Sequence, residues 1–185
     1  MKHAVPIALL AIALMNAPAF AQQIVIGQGA AYGCYQSALS DNPGTRGAIR
    51  DCTDALDDPL SLRDEAATRV NRGLLLMRKG DHAAALSDYA AALRIDPDLP
   101  EAHVNRGTAL FHTGEMDAAR DAYTRAIDLG IGKMPEALYN RALIHERQDN
   151  ARAAYSDLKA ALALRPDWDL AQRAIGRFTV VRRAN

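Results

Sequence analysis

Three copies of one short phrase, set at nearly equal intervals, constrain this chain more than any other feature. Asn71-Arg72-Gly73 returns as Asn105-Arg106-Gly107 and again as Asn140-Arg141-Ala142, at spacings of 34 and 35 residues. Twelve residues after each triplet stands Ala85, Ala119 or Ala154; four later comes Tyr89, Tyr123 or Leu158; three more bring Ala92, Ala126 or Ala161. A period of this length marks a stacked array of helical hairpins, in which no unit buries its apolar face alone. Small residues fall where two helices cross, and the larger Tyr89, Tyr123 and Leu158 fill the gap between neighbouring helices. Gly80 and Gly114 fall between the helices of their units, where a positive φ stops a helix cheaply. Asp81 is placed to cap the helix that follows, and Ser61 with Asp64 reads as a capping box. Pro97 and Pro166 close the first and third units; Ile131 stands at that offset in the second. The extra residue of the longer spacing is expected in the linker Gly130-Ile131-Gly132-Lys133-Met134-Pro135.

On these residues, the region 66–166 resembles the tetratricopeptide repeat family. The resemblance makes Gly73, Gly107 and Ala142 the small residue of each first helix. It makes Ala85 with Ala92, Ala119 with Ala126, and Ala154 with Ala161 the alanines of each second helix. The sequence departs from the family pattern at Arg69, His103 and Leu138, at Arg72, Arg106 and Arg141, and at Leu76, Leu110 and His145. The implied fold is all-α, a right-handed α-solenoid of helical hairpins over residues 63–166, with units near 66–99, 100–134 and 135–168. Residues 22–62 are expected to add a degenerate first hairpin, because Ala48 to Leu56 echoes Ala85 to Leu93, with 30–40 as its partner helix. Residues 167–185 are expected to supply a polar-faced capping helix that runs to about Val180. Trp168 is expected to pack on the preceding helix, with ligand stacking as the other reading.

The first 21 residues read as an export signal: Met1-Lys2-His3 is basic, Val5 to Met15 is apolar, and Ala19-Phe20-Ala21 has the small-x-small pattern before Gln22. The apolar run is too short to span a bilayer comfortably, so no membrane insertion is expected after cleavage. An exported chain, periplasmic or secreted, makes a Cys34–Cys52 disulfide the expected state of the two cysteines. They flank the turn signal Ser40 to Thr45, so antiparallel helices joined there bring them side by side. In a reducing compartment they read instead as two buried thiols.

With 22 basic and 22 acidic residues the chain has no net pull on nucleic acid, and it lacks clustered cations with aromatic platforms. Nor does a catalytic constellation appear. His82, His103, His112 and His145 form no His-x3-His or Cys-His spacing, and Gly27-Gln28-Gly29 lacks the rest of a phosphate-loop fingerprint. The expectation is therefore no enzyme, no cofactor and no metal. Arg72 with Asp88 and Arg141 with Asp157 are expected to form structural ion pairs, a pairing that Ala122 denies to Arg106.

The resemblance implies that first helices line a concave groove. On them the row Asn71, Asn105 and Asn140 is the candidate peptide site, since each amide offers donors and an acceptor. Its neighbours are Val70, Leu74 and Met77 in the first unit, Val104, Thr108 and Phe111 in the second, and Tyr139, Leu143 and Glu146 in the third. Either the row clamps an extended peptide, with apolar pockets beside it, or each amide bonds an adjacent helix of the scaffold. The function expected is non-catalytic protein binding in the cell envelope, with a protein or peptide as partner. The alternative is an assembly or structural factor that self-associates through its convex face or its ends, leaving the groove empty.

Overall fold

The computed structural model describes residues 29–39, 45–130 and 134–178. The export signal, most of the Ser40–Thr45 turn, the residues added in the Gly130–Pro135 linker and the C-terminal tail lie outside these residues. The described residues form helices only: α1 Ala30–Leu39, α2 Thr45–Asp57, α3 Leu62–Lys79, α4 His82–Ile95, α5 Pro100–Thr113, α6 Met116–Asp128, α7 Met134–Arg147, α8 Ala151–Leu164 and α9 Asp169–Ile175. Each helix packs on the next in the chain, and α1, α3 and α5 also touch across one layer. The last helix ends at Ile175, short of the Val180 read from sequence. Among the described residues, no helix is long and apolar enough to cross a membrane.

Local chemistry sets the helix ends. Ser61 Oγ accepts from the Asp64 amide at 3.1 Å and donates to the Asp64 carboxylate at 2.8 Å, which fixes the start of α3. Asp81 accepts from the Ala84 amide at 3.2 Å and opens α4, and Asn150 does the same for Ala153 at 3.3 Å before α8. Gly80 and Gly114 stop α3 and α5 at φ of 87° and 88°. In the third unit Asp149 takes the equivalent place at φ 58°, a conformation that short polar side chains tolerate better than most.

The core is divided, not continuous. Ala66, Val70, Ala85, Tyr89 and Ala92 make one cluster, Val104, Ala119, Tyr123 and Ala126 a second, and Ala142, Ala154, Leu158, Ala171 and Ala174 a third. In each of the first two, a tyrosine ring lies directly against a glycine of the facing helix. A methyl group on Gly73 would stand 2.5 Å from Tyr89 Cε1, and one on Gly107 would stand 2.9 Å from Tyr123 Cε1. The third unit has Ala142 and Leu158 in these two places, so a larger small residue meets a smaller large one.

At the N-terminal end, Cys34 and Cys52 are fully buried with Ala48 and Leu75, and their sulfurs stand 2.11 Å apart as a disulfide pair with Cα atoms at 4.6 Å. Two arginine straps cross between hairpins. Arg72 donates from Nε and Nη2 to the Asp88 carboxylate at 2.8 and 2.7 Å, and from Nη1 to Thr53 Oγ1 at 3.2 Å. Arg141 repeats the figure with Asp157 at 2.8 Å on both oxygens and Thr124 at 3.0 Å. Their carboxylates hold both guanidinium groups above the ordinary arginine value.

Candidate functional site

The layer of first helices carries a hollow of about 700 Å³ at the N-terminal ends of α3 and α5. Its floor is small because Ala66 and Ala67 face it, and its walls are Tyr35 from α1, Leu62 and Val70 from α3, and Ile95 and Leu99 from the α4–α5 connection. Arg63, Asp96 and Glu101 stand among its lining, so cations and anions share the edge. Leu62 is 70% exposed, which leaves an aliphatic side chain beside the hollow with little of the chain packed on it. Asn71 also lines this hollow.

The asparagine row divides in its bonding. All three side chains are half-buried, open in part to solvent. Among the described residues, the amides of Asn71 and Asn105 make no hydrogen bond within the chain. Asn140 differs: its amide stands close enough to act on the Tyr123 hydroxyl, which Thr108 Oγ1 meets at 3.0 Å. Burial pushes that hydroxyl up to about 12, against the downward pull of Thr108 and Asn140. The corresponding Tyr89 hydroxyl is buried with no hydrogen-bond partner among the described residues, and Leu74 stands where the second unit has Thr108. Burial and the neighbouring Asp88 raise its pKa further still.

The apolar neighbours expected beside the row scatter. Val70 is buried but still lines the hollow, whereas Val104 turns into the second core cluster at 5% exposure. Thr108 bonds to the Val104 carbonyl at 3.1 Å as well as to Tyr123, so its hydroxyl serves the scaffold. Leu74 and Leu143 remain half-buried. Met77 and Phe111 lie at the last turns of α3 and α5, about 10 Å along the helix axis from Val70 and Val104. Arg147 covers the Phe111 ring at 4.5 Å. Tyr139 packs on Trp168 at 4.9 Å, and Arg165 lies over the Trp168 ring at 4.8 Å, so the tryptophan is used to seat the last helix. Glu146 pairs with Arg177 at 2.6 Å.

Sequence reasoning missed Tyr35, Leu62, Ile95 and Leu99, which shape the hollow. They sit at helix ends or in the degenerate hairpin, where the repeat period supplies no signal. The histidines are also closer than their spacing suggests. His82 and His112 stack face to face at 5.1 Å, while His103 meets the Pro97 carbonyl at 2.9 Å and His145 lies 3.9 Å from Asp157. Burial lowers His145 below the ordinary imidazole value, with Asp157 opposing. Among the described residues, no three His, Cys, Asp or Glu side chains converge as a metal set.

Comparison with known proteins matches this geometry. Sequence models described as tetratricopeptide repeat cover residues 38–100, 70–133 and 135–167. The photosystem I assembly protein Ycf3 of Cyanophora paradoxa is 34% identical over 110 residues, covering 57% of this chain and 63% of that protein. The mitochondrial import receptor subunit TOM70 of Rattus norvegicus is 26% identical over 147 residues, 75% of this chain but 24% of the receptor. The chain thus spans less than two thirds of the length of these relatives. Among solved structures, MamA superposes with a TM-score of 0.64 at 26% identity, covering 72% of this chain and 75% of MamA. YrrB, described as having an unusual peptide-binding site, superposes at 0.61 with 21% identity, over 70% of this chain and 65% of its own, and at that identity it speaks for the fold alone. Recurring helical hairpins, glycine–tyrosine crossings and matching family models together place this chain in the tetratricopeptide repeat family.

Proposed function

We propose that this chain is a non-catalytic peptide-binding module of the cell envelope, which takes an extended segment along its first-helix layer. The observation that carries this reading is the hollow beside Asn71, apolar in its walls and edged by an amide with no partner among the described residues. An aliphatic or aromatic side chain of the guest fills the hollow, and the Asn71 and Asn105 amides hold the guest's backbone. Asn140, which acts on the buried Tyr123 hydroxyl, contributes less. The mixed edge of Arg63, Asp96 and Glu101 favours a guest without a strong net charge. Relatives support binding as the general role: Ycf3 is described as an assembly protein and TOM70 as an import receptor. Export is supported by the leader pattern of residues 1–21 and by the Cys34–Cys52 pairing, which suits an oxidising compartment.

The test is selection from a random peptide display library, followed by affinity measurement on the best binder. Asn71→Ala with Asn105→Ala is expected to weaken binding at least tenfold at an unchanged melting temperature. An affinity untouched by that double change, or a selection that returns no binder, defeats the groove. The second reading, self-association through an end, draws on Leu164 and Leu170, which are 54% and 49% exposed near the last helix. Light scattering that shows a dimer broken by Leu170→Glu favours it.

A further inference from the structure

Exposed large apolar side chains collect at the two ends of the stack. Tyr32 and Leu39, 48% and 58% exposed, lie on α1, while Leu164 ends α8 and Leu170 lies on α9. Among the described residues between these ends, only Leu62 beside the hollow is of this kind. Single exposed leucines scattered over a surface need no explanation, but a distribution confined to the ends does. On α1 the buried Ala31, Cys34 and Ala38 face inward, and Tyr32, Gln36 and Leu39 recur at steps of four and three as an exposed outer stripe. At the other end, α9 has 7 residues where α5 and α7 have 14, so it covers less of α8 than they cover of α4 and α6. The residue ahead of the buried alanine is Glu101 in α5 and Glu136 in α7, but Leu170 in α9.

The two ends also differ in charge. α1 carries none, and α2 with the residue after it carries Asp51, Asp54, Asp57 and Asp58 against Arg46 and Arg50. From α8 to Phe178, five cations stand against three carboxylates, and one of those, Asp157, is held by Arg141. Asp51, Asp54 and Asp58 at one end, and Arg152 and Lys159 at the other, are exposed and make no ion pair among the described residues. Two of these charges hold positions at which inner units are strapped together. Asp51 answers to Asp88 in the echo between Ala48–Leu56 and Ala85–Leu93, but Tyr35 stands where the matching arginine would. Lys159 lies 35 residues after Thr124, which receives Arg141 of the following unit, and Gly176 stands where the next arginine would. Asp51 thus sits on the face turned back beyond the first unit, and Lys159 on the face turned onward beyond the last.

We infer that this chain associates head to tail, the α8–α9 end of one copy seated on the α1–α2 end of a second. Like ends would set charge of one sign against itself, whereas unlike ends oppose carboxylates to cations around apolar side chains. Contact between unlike ends leaves one end free on each outer copy, so it extends as a chain or closes as a ring. Neither stripe lines the hollow, so this association stands apart from peptide capture there.

The test is sedimentation velocity of the full chain over a range of concentrations. The wild-type mass is expected to rise with concentration past that of a dimer, and association is expected to weaken about tenfold between roughly 50 and roughly 500 mM salt, because salt screens exposed charge. Leu170→Glu sets a carboxylate against the acidic end, and Tyr32→Lys with Leu39→Lys sets cations against the basic end. Each variant alone is expected to be monomeric with unchanged helical circular dichroism. Mixed, the two are expected to form 1:1 dimers and nothing larger, since one competent end of each kind remains. A wild type that stays monomeric at every concentration overturns the inference, its ends then being met by another protein or by its own flanking residues. So does a mixture that stays monomeric, or association of either variant alone, which marks contact between like ends.

Discussion

Gly73 and Tyr89 form a matched pair whose fit is set by one missing methyl group. With its Cβ only 2.5 Å from a fully buried ring, Gly73→Ala forces Tyr89 or the helix backbone to shift. Urea denaturation is expected to show a loss of about 1–3 kcal/mol, the usual range for overpacking. Tyr89→Leu alone leaves a cavity and also destabilises. The two changes combined rebuild the Ala142–Leu158 pair of the third unit, so the double variant is expected to be more stable than the sum of the single losses. This exchange was legible in the sequence, because glycine travels with tyrosine and alanine with leucine at one offset. The bonding of the two tyrosine hydroxyls was not. It depends on the residue after the small one, Leu74 in the first unit and Thr108 in the second, and the period alone does not tell that this position reaches the tyrosine fifteen residues on. The same limit hid the stacking of His82 on His112, thirty residues apart in sequence.

Helices in this chain are joined by charge as well as by fit. Asp88 is 4% exposed, and its two oxygens are taken by Arg72 while Arg69 approaches to 4.0 Å. Removing the arginine strands a buried carboxylate. Arg72→Met is therefore expected to cost about 3–5 kcal/mol in equilibrium denaturation. Arg72→Met with Asp88→Leu removes both charges and is expected to recover most of that loss, since an apolar pair of similar size needs no solvation. The arginine–aspartate offset could be read from the sequence. The third member of each strap could not: Thr53 and Thr124 belong to the preceding hairpins, at separations of 19 and 17 residues from their arginines. Those extra bonds make a strap out of what otherwise reads as a surface ion pair.

At the scale of the molecule, separate clusters take the place of a single centre, and each unit leans on its neighbours. The last cluster is closed by Ala171 and Ala174 of α9, with Trp168 wedged on Tyr139. A chain ended after Pro166 loses that cover. Its melting temperature is expected to fall by several degrees, with hydrogen exchange rising first in α7 and α8 and last in α3 and α4. The architecture was legible because its period holds to within one residue over 66–166; the hollow was not, because helix ends shape it.

The straps are unevenly placed. Arg72 ties α2, α3 and α4, and Arg141 ties α6, α7 and α8, but Arg106 faces Ala122 at the matching offset and makes no ion pair among the described residues. Two stiff segments therefore meet at a softer joint around α5. Curvature is expected to change mostly there, so hydrogen exchange in α5 is expected to run faster than in the strapped α3 and α7.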